Sequence, residues 1–141
     1  MSIPLPGTHK LRSVKFPNQL FDLQGGTATI GTPVIGYANN SNNQNMLVVD
    51  PSNKLVRLIN VASGTSADCA NIQGLAGEVV VGSPSTALFK IAPNNNLGEY
   101  SIQTTDGKLA CSLANSTNYT HVTLQNVNSN DTGRGWIFCP I

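Results

Sequence analysis

The segment from residue 20 to residue 46 carries the side chains with the clearest chemistry. Asp22 is one of only seven acidic residues in a chain of 141, and it lies between apolar neighbours. A carboxylate accepts stronger hydrogen bonds than a neutral acceptor does, so it can hold two adjacent hydroxyl groups. The Tyr37 ring can cover an apolar C–H surface, the Asn43 amide both donates and accepts, and Gly25 lets a ligand approach its backbone N–H. Together these side chains suit the binding of a hydroxylated molecule.

The composition of the chain argues against charged partners. Charged residues make up 11% of the sequence and the net charge is +1, whereas soluble domains average roughly 25% charged residues. A nucleic-acid-binding domain needs a basic face, and a polybasic membrane anchor needs clustered lysine and arginine. The sequence has no such excess of basic residues, so we expect no nucleic acid partner and no membrane insertion. Much of the polar surface must come instead from the 17 asparagines.

The sequence shows no targeting or membrane-spanning segment. It contains no apolar run of about 18 residues, which a membrane helix requires. The first six residues lack the basic start and the apolar run of a signal peptide. These features predict a cytoplasmic protein, with release by an unconventional route as an alternative.

The residue types used in catalysis and metal binding are scattered. Cys69, Cys111 and Cys139 have no metal-binding spacing, so we expect reduced, mostly buried thiols and leave open a disulfide between two of them. His9 and His121 are interpreted as half-exposed strand residues. No nucleophile elbow, phosphate-binding loop or dinucleotide-binding motif occurs, and no carboxylate pair can be argued for glycoside hydrolysis. We therefore predict that the protein is not an enzyme and uses no metal or cofactor.

The spacing of apolar residues predicts an all-β fold. Helical periodicity is nearly absent, glycine and proline recur about every ten residues, and the apolar stretches are short and rich in β-branched or aromatic residues. The predicted strands are 9–14, 20–23, 34–37, 46–49, 55–61, 78–81, 87–91, 100–103, 109–113, 121–126 and 135–138. No linker marks a second domain, so we expect one domain over residues 1–141.

Three stretches of the chain share one order of strands. An alternating strand opens each stretch, at residues 8–14, 54–61 and 98–103, and a second short strand follows in each. Each stretch closes on a hydrophobic strand, at residues 43–48, 85–91 and 134–138. The period of about 40 to 47 residues predicts three pseudo-repeats, roughly 7–52, 53–96 and 97–141. Three propeller blades are too few to close a ring, so a barrel with threefold pseudo-symmetry fits better.

Repeat one resembles the repeat of the ricin-B-type lectins. The pattern of that family is Asp-Leu-x-Gly-Gly, then Gly-x-Pro-Val-x-x-aromatic, then Asn-Gln-x-Trp. The chain has DLQGG at residues 22–26, GTPVIGY at 31–37 and NQNM at 43–46. Met46 thus stands at the Trp position of repeat one, and Trp136 at that of repeat three. The resemblance, which extends to the small mushroom lectins, implies a β-trefoil with four strands in each of three repeats.

The resemblance also implies the residues of a sugar site. The positions that match the family's sugar ligands are Asp22, Gly25, Tyr37 and Asn43. Gln44 matches the amide that orients the aspartate. The loop from residue 37 to residue 43 is shorter than in the plant members, so Asn39 or Asn45 could take the place of Asn43.

Repeats two and three depart from this pattern. In repeat two we expect Cys69 at the position of Asp22, with Asp68 one residue out of phase and turned to the other face of its strand. Residues 74–85 include no aromatic residue. In repeat three the aspartate position falls on Cys111 or Ser112 and the aromatic position on Gln125. A non-standard polar site there could use Asn126, Asn128, Asn130 and Asp131. We expect one sugar site per chain.

The resemblance implies a lectin for glycoproteins or glycolipids that end in galactose or N-acetylgalactosamine. An aspartate that accepts from the 3- and 4-hydroxyls suits the axial 4-hydroxyl of these sugars. Linking two weak sites raises their avidity, so a homodimer is also expected. Two alternatives stay open: a β-trefoil protease inhibitor acting through an exposed loop such as 82–85 or 93–96, and an interaction module without ligand sites.

Overall fold

The strands of the computed structural model fall into three groups along the chain. The structure describes residues 3–41, 43–50, 52–70, 74–128 and 130–141. In these residues the strands are β1 (Gly7–Ser13), β2 (Leu20–Leu23), β3 (Val34–Tyr37), β4 (Gln44–Val49), β5 (Val56–Asn60), β6 (Ser66–Cys69), β7 (Val80–Ser83), β8 (Lys90–Pro93), β9 (Tyr100–Gln103), β10 (Leu109–Ser112), β11 (Thr120–His121), β12 (Thr123–Asn126) and β13 (Trp136–Pro140). Val122 alone separates β11 from β12, so each group has four strand positions.

The first and last strands of the three groups form a closed barrel. Antiparallel pairs join β1 to β4 and β13, β4 to β5, β8 to β9, and β9 to β13. A bridge between Val56 and Phe89 joins β5 to β8 and completes the ring. Leu11, Leu58 and Ile102, at most 1% exposed, occupy matching positions in the first strands of the groups. Their burial provides the hydrophobic stabilisation of the barrel.

Three hairpins complete the fold: β2–β3, β6–β7 and β10–β12. They meet at three buried valines, one from each hairpin, because Val80 N donates to Val122 O at 2.9 Å and Val122 N donates to Val34 O at 2.8 Å. A six-stranded barrel joined to three hairpins with threefold pseudo-symmetry is a β-trefoil. The predicted fold class is confirmed.

A buried aromatic pair fixes β2 against the barrel. Trp136 is fully buried, and its indole Nε1 donates to Cys111 O at 3.0 Å. Its ring meets Phe21 edge to face, with 5.4 Å between the ring centroids. Because Phe21 precedes Asp22 in β2, this packing holds the strand that carries the predicted aspartate.

The strand bounds agree with the sequence prediction in repeat one and differ in repeat two. β2 and β3 have the predicted bounds, whereas β7 and β8 begin two and three residues after theirs. The single-domain interpretation and the bounds of the repeats stay predictions. Among the described residues, no helix is apolar and long enough to span a membrane.

Candidate functional site

Asp22 lies in β2 with one carboxylate oxygen held and the other without a partner. Its side chain is 2% exposed. The Nδ2 atoms of Asn43 and Asn40 donate to Asp22 Oδ2 at 2.6 Å and 3.0 Å. Asp22 Oδ1 is equally buried and accepts no hydrogen bond from the described residues. Buried polar atoms are nearly always hydrogen-bonded in native proteins, so this oxygen has an unused capacity to accept a hydrogen bond.

The environment of Asp22 shifts its ionisation toward neutral pH. Burial raises the pKa of Asp22 from 3.8 to about 6, while the hydrogen bonds from Asn40 and Asn43 act to lower it. At pH 7 the group is therefore mostly a buried anion, and its hydrogen-bond donors among the described residues are the neutral amides of Asn40 and Asn43. In this setting the anion accepts a stronger hydrogen bond from a hydroxyl group than it would in water.

The role expected of Gln44 belongs to Asn43. The Asn43 side chain is fully buried and donates to Asp22, whereas Gln44 is half-buried in β4 and its side-chain amide bonds no described residue. Asn45 is 3% exposed at the barrel position that corresponds to Trp136, and Met46 is 43% exposed. The expected alignment of Met46 with Trp136 is therefore wrong by one residue. Because side chains alternate along a strand, this single step turns Gln44 outward and Asn43 inward.

The other asparagines of this loop divide between the site and the scaffold. Asn40 is half-buried and bonds Asp22, so its amide is the one that a ligand can also contact. Asn39 is exposed and accepts a hydrogen bond from Lys10. Asn45 Nδ2 donates to Asn43 O at 3.1 Å, so it supports the loop. Sequence reasoning named Asn39 and Asn45 as substitutes for Asn43 and missed Asn40.

Tyr37 lies at the end of β3 and pairs with a second tyrosine from repeat three. Its ring centroid is 5.1 Å from that of Tyr119, with the planes at 71°. Hydrogen bonding to Tyr119 raises the pKa of Tyr37, and the negative charge of Asp22 adds to the rise. Tyr37 lies two residues after Ile35, the partner of Asp22 in β3, so its side chain points to the same face of the hairpin as that of Asp22. Sequence reasoning did not single out Tyr119.

Gly25 occupies a turn that requires glycine. Its φ is 67°, within the short 3₁₀ helix Gln24–Gly26 that follows β2. A Cβ atom at this position would meet no neighbour within 4 Å. The residue is exposed, so its conformation, and not crowding, explains the glycine.

Repeat two presents an aspartate at the same position as Asp22. Asp22 pairs with Ile35 and Asp68 with Val81, and each partner directly follows one of the central valines. The expectation that Asp68 is out of phase is therefore wrong, because the hairpin register places Asp68, and not Cys69, at this position. Ser112 is the third equivalent, since it pairs with Thr123 after Val122.

Both oxygens of Asp68 have partners within the chain. Asp68 Oδ1 accepts from Cys69 N at 2.7 Å, and Asp68 Oδ2 accepts from Ser85 Oγ at 2.6 Å. A cleft of about 620 Å³ opens beside it, with Ile30 and Ser83 among its lining residues. The residues that line this cleft include no aromatic side chain. Repeat two therefore has a carboxylate with a cleft beside it, but no aromatic side chain there on which a sugar could stack.

The polar residues of repeat three are engaged in local turns. Asp131 Oδ1 accepts from Gly133 N at 2.9 Å, and its other oxygen pairs with Arg134. Asn128 Oδ1 accepts from Asn130 N at 3.1 Å. Gln125 pairs with Ala110 in the β10–β12 hairpin, at the position that corresponds to Tyr37. These bonds explain the composition of the loop without a ligand.

The cysteines are unpaired thiols. Cys111 is buried, and Cys69 and Cys139 are half-buried. Burial raises the pKa of the Cys69 thiol to about 11, with Glu78 and Asp68 adding to the rise, and burial also raises the pKa of Cys111. High pKa values disfavour the reactive thiolate. His9 is 4% exposed, more buried than expected, and packs edge to face on Phe138. No cluster of three or more metal-ligating side chains occurs among the described residues.

Comparison with solved structures places the fold among known proteins. The Rhizoctonia solani agglutinin superimposes with a TM-score of 0.90 and 28% identity, covering 100% of this chain and 99% of its own. The Macrolepiota procera ricin B-like lectin, solved in complex with lactose, gives a TM-score of 0.85 at 18% identity and covers both chains fully, at 100% each. This chain has the ricin-B-like β-trefoil fold. The resemblance inferred from repeat one is thereby confirmed.

Further comparisons show how widely the ricin-B-like β-trefoil is used. A designed threefold symmetric protein, ThreeFoil, gives a TM-score of 0.86 at 18% identity over 96% of this chain and 99% of its own. The β-trefoil also matches 31% of an exo-beta-1,3-galactanase chain from Clostridium thermocellum. By sequence, no family model and no curated protein matches the chain.

Proposed function

We propose that this protein is a lectin that binds glycans non-covalently through the Asp22 site of repeat one. The observation that carries the proposal is the state of the Asp22 carboxylate. Two buried or half-buried amides fix one of its oxygens, while the other is buried without a partner. A fixed acceptor of this kind binds a hydroxyl with little loss of conformational entropy.

The expected ligand is a glycan that ends in galactose or N-acetylgalactosamine. The 3- and 4-hydroxyls of the sugar would donate to Asp22, and its apolar C–H face would lie on Tyr37. Asn40 would contact the same hydroxyls, since its amide is next to Asp22 Oδ2 and half-exposed. Few ligand atoms become buried in such a site, so a monosaccharide should bind with a Kd of ~mM to tens of µM.

The solved structures support the lectin and leave the sugar open. One superimposed protein is called an agglutinin, and another is a lectin solved with lactose, which is a galactoside. These structural likenesses assign no residue of this chain to a sugar. The assignment of galactose-type glycans to the Asp22 site therefore rests on the carboxylate, the amides and Tyr37.

We propose binding without catalysis. Glycoside hydrolysis needs two carboxyl groups on either side of the scissile bond. The groups bonded to the Asp22 carboxylate are asparagine amides, which cannot act as general acids at ordinary pH. Burial raises the pKa values of the Cys69 and Cys111 thiols, so these two are not activated nucleophiles.

Dimerisation and location form part of the same proposal. Two chains with one weak site each would bind a multivalent glycan surface more tightly than one chain. Light scattering of the purified protein would give its mass directly. Fractionation of the source cells would test the cytoplasmic location.

A glycan array with wild type and Asp22→Ala tests the proposed function. We expect signals on glycans that end in galactose or N-acetylgalactosamine, and we expect these signals to disappear in the variant. Signals that survive in the variant would place the site elsewhere in the chain. An array without signals would contradict the lectin and lead to assays of protease inhibition.

A further inference from the structure

Tyr119 belongs to repeat three, yet its side chain lies beside the site of repeat one. Asn118 Oδ1 accepts hydrogen bonds from Ala38 N at 3.1 Å and Gln19 Nε2 at 3.0 Å, both in repeat one. Tyr119 N itself donates to Gly36 O at 3.0 Å. The turn that carries Tyr119 is therefore attached to the strand that leads to Tyr37.

The backbone of Tyr119 is in a conformation that favours glycine. Its φ is 73°, one of two positive values at non-glycine residues in the described chain. Gly31 and Gly77 make the same backbone bond to the next repeat, with φ values of 86° and 87°. Repeats one and two thus place glycine where repeat three places a tyrosine. Residues with strained backbone conformations of this kind cluster at functional sites.

The strained tyrosine is exposed to solvent. Its side chain is 59% exposed, so burial of apolar surface does not explain why this position has a tyrosine. Its side chain contacts Tyr37 both edge to face and through a hydrogen bond between the two side chains. An exposed aromatic ring next to a carboxylate site offers a surface for the C–H face of a sugar.

The angle between the two tyrosine rings limits how both of them can contact a bound sugar. The planes meet at 71°, so both rings cannot lie flat against the same face of one pyranose. If the 3- and 4-hydroxyls of the first sugar face the buried Asp22, its anomeric carbon points away from the carboxylate, toward solvent. The next sugar of the glycan extends from that carbon, on the exposed side where Tyr119 lies.

We propose that Tyr119 stacks on the second sugar of the glycan, so that the repeat-one site recognises a disaccharide end built from two repeats. This inference rests on the proposed function, because it assumes that the terminal sugar binds at Asp22. Tyr37 stacks on the terminal sugar and Tyr119 on the sugar that follows it. Tyr119 is thus a specificity-determining residue contributed by repeat three.

The test compares Tyr119→Gly and Tyr119→Phe with wild type by calorimetric titration of galactose and lactose. Glycine is the residue of the equivalent turns, so Tyr119→Gly should fold with a melting temperature no lower than that of wild type. We expect it to raise the Kd for lactose about tenfold and to change the Kd for galactose less than about twofold. Tyr119→Phe removes the hydrogen bond to Tyr37 but keeps the ring, so stacking predicts that this variant binds both sugars as wild type does.

The outcomes separate this inference from the proposed function. Suppose that wild type binds both sugars, and that Tyr119→Gly either binds them with unchanged Kd values or weakens both equally. That result would overturn the role of Tyr119 and leave the Asp22 site intact. Wild type that binds neither these sugars nor any array glycan would overturn the proposed function, and this inference with it.

Discussion

The Asn43 amide donates a 2.6 Å hydrogen bond to the Asp22 carboxylate, although the two residues are 21 positions apart in repeat one. Asn43 immediately precedes β4 of the barrel, while Asp22 lies in the β2–β3 hairpin. Both side chains are almost completely buried. The barrel therefore fixes the orientation of a carboxylate that the hairpin supplies, and this pair is the basis of the following predictions.

Truncation of Asn43 should affect stability and binding together. Asn43→Ala leaves a buried carboxylate with fewer hydrogen bonds, which should lower the free energy of unfolding by about 1–3 kcal/mol. The lost bond acts to lower the pKa of Asp22, so the pKa should rise further and sugar binding should require a higher pH. Urea denaturation and titration of sugar at several pH values measure the two effects. Asn39→Ala, an exposed change in the same loop, is the control and should shift stability by less than about 0.5 kcal/mol.

Sugar binding should weaken as the pH falls through the pKa of Asp22. The ionised carboxylate is the acceptor, and its pKa is about 6. Below that pH the Kd should rise about tenfold for each pH unit, as the ionised fraction falls. Calorimetric titrations between roughly pH 5 and pH 8 would show this profile. A Kd that is constant over this range would show that Asp22 is not the acceptor.

The stability of the protein should respond to pH in the opposite direction. The pKa of Asp22 is about 6 in the folded state and 3.8 for an exposed group, so the folded state binds more protons between these values. Stability from this group is fully present below about pH 4 and is lost as the pH rises to about 6. Asp22→Asn removes this contribution, so its unfolding free energy should change less with pH between these values than that of wild type. Parallel curves for the two proteins would contradict the raised pKa.

Asp68 provides a matched control for the binding site. It occupies the position of Asp22 in repeat two, but each of its two oxygens already accepts a hydrogen bond, from Cys69 N and from Ser85 Oγ. We therefore expect one sugar per chain by calorimetry, and Asp68→Asn should leave both the Kd and the stoichiometry unchanged. Asp22→Asn, the same change at the equivalent position, should abolish binding. Two sugars per wild-type chain, reduced to one by Asp68→Asn, would establish a second site in repeat two.

The side chains packed against β3 leave no room for a methyl group at Gly36. A Cβ atom there would lie 2.8 Å from Leu113 Cδ1 and 2.9 Å from Gln19 Oε1. Gly36→Ala should lower the free energy of unfolding by about 1–3 kcal/mol, because a packed interior resists extra volume. Gly82 is the equivalent residue of repeat two, with Leu23 Cδ1 at 2.8 Å, and Gly82→Ala should have a similar effect. Thermal unfolding of both variants measures it, and wild-type stability in either would contradict the crowding.

The sequence by itself determined the fold class, the threefold repeat and the identity of the central carboxylate. Alternating apolar residues and the Gly-Pro spacing predicted β2 and β3 with the bounds that the structure has. Asp22 and Tyr37 could be singled out because they stand within that strongly patterned segment. The local pattern suffices there, since each side chain's face follows from its neighbours in the strand.

The tertiary structure alone determined which face of the strand each residue of the polar segments occupies, and which residues of different repeats contact each other. Residues 39–45 and 66–69 lack a continuous apolar alternation, so the register of Asn43 and Asp68 depends on the strands with which β4 and β6 pair. Sequence reasoning accordingly displaced both by one residue. Tyr119 reaches the site from repeat three through a turn at positive φ, and no local pattern reports which repeat it contacts. Such a contact forms when the three hairpins meet, because residues far apart in sequence become neighbours only when the β-trefoil closes.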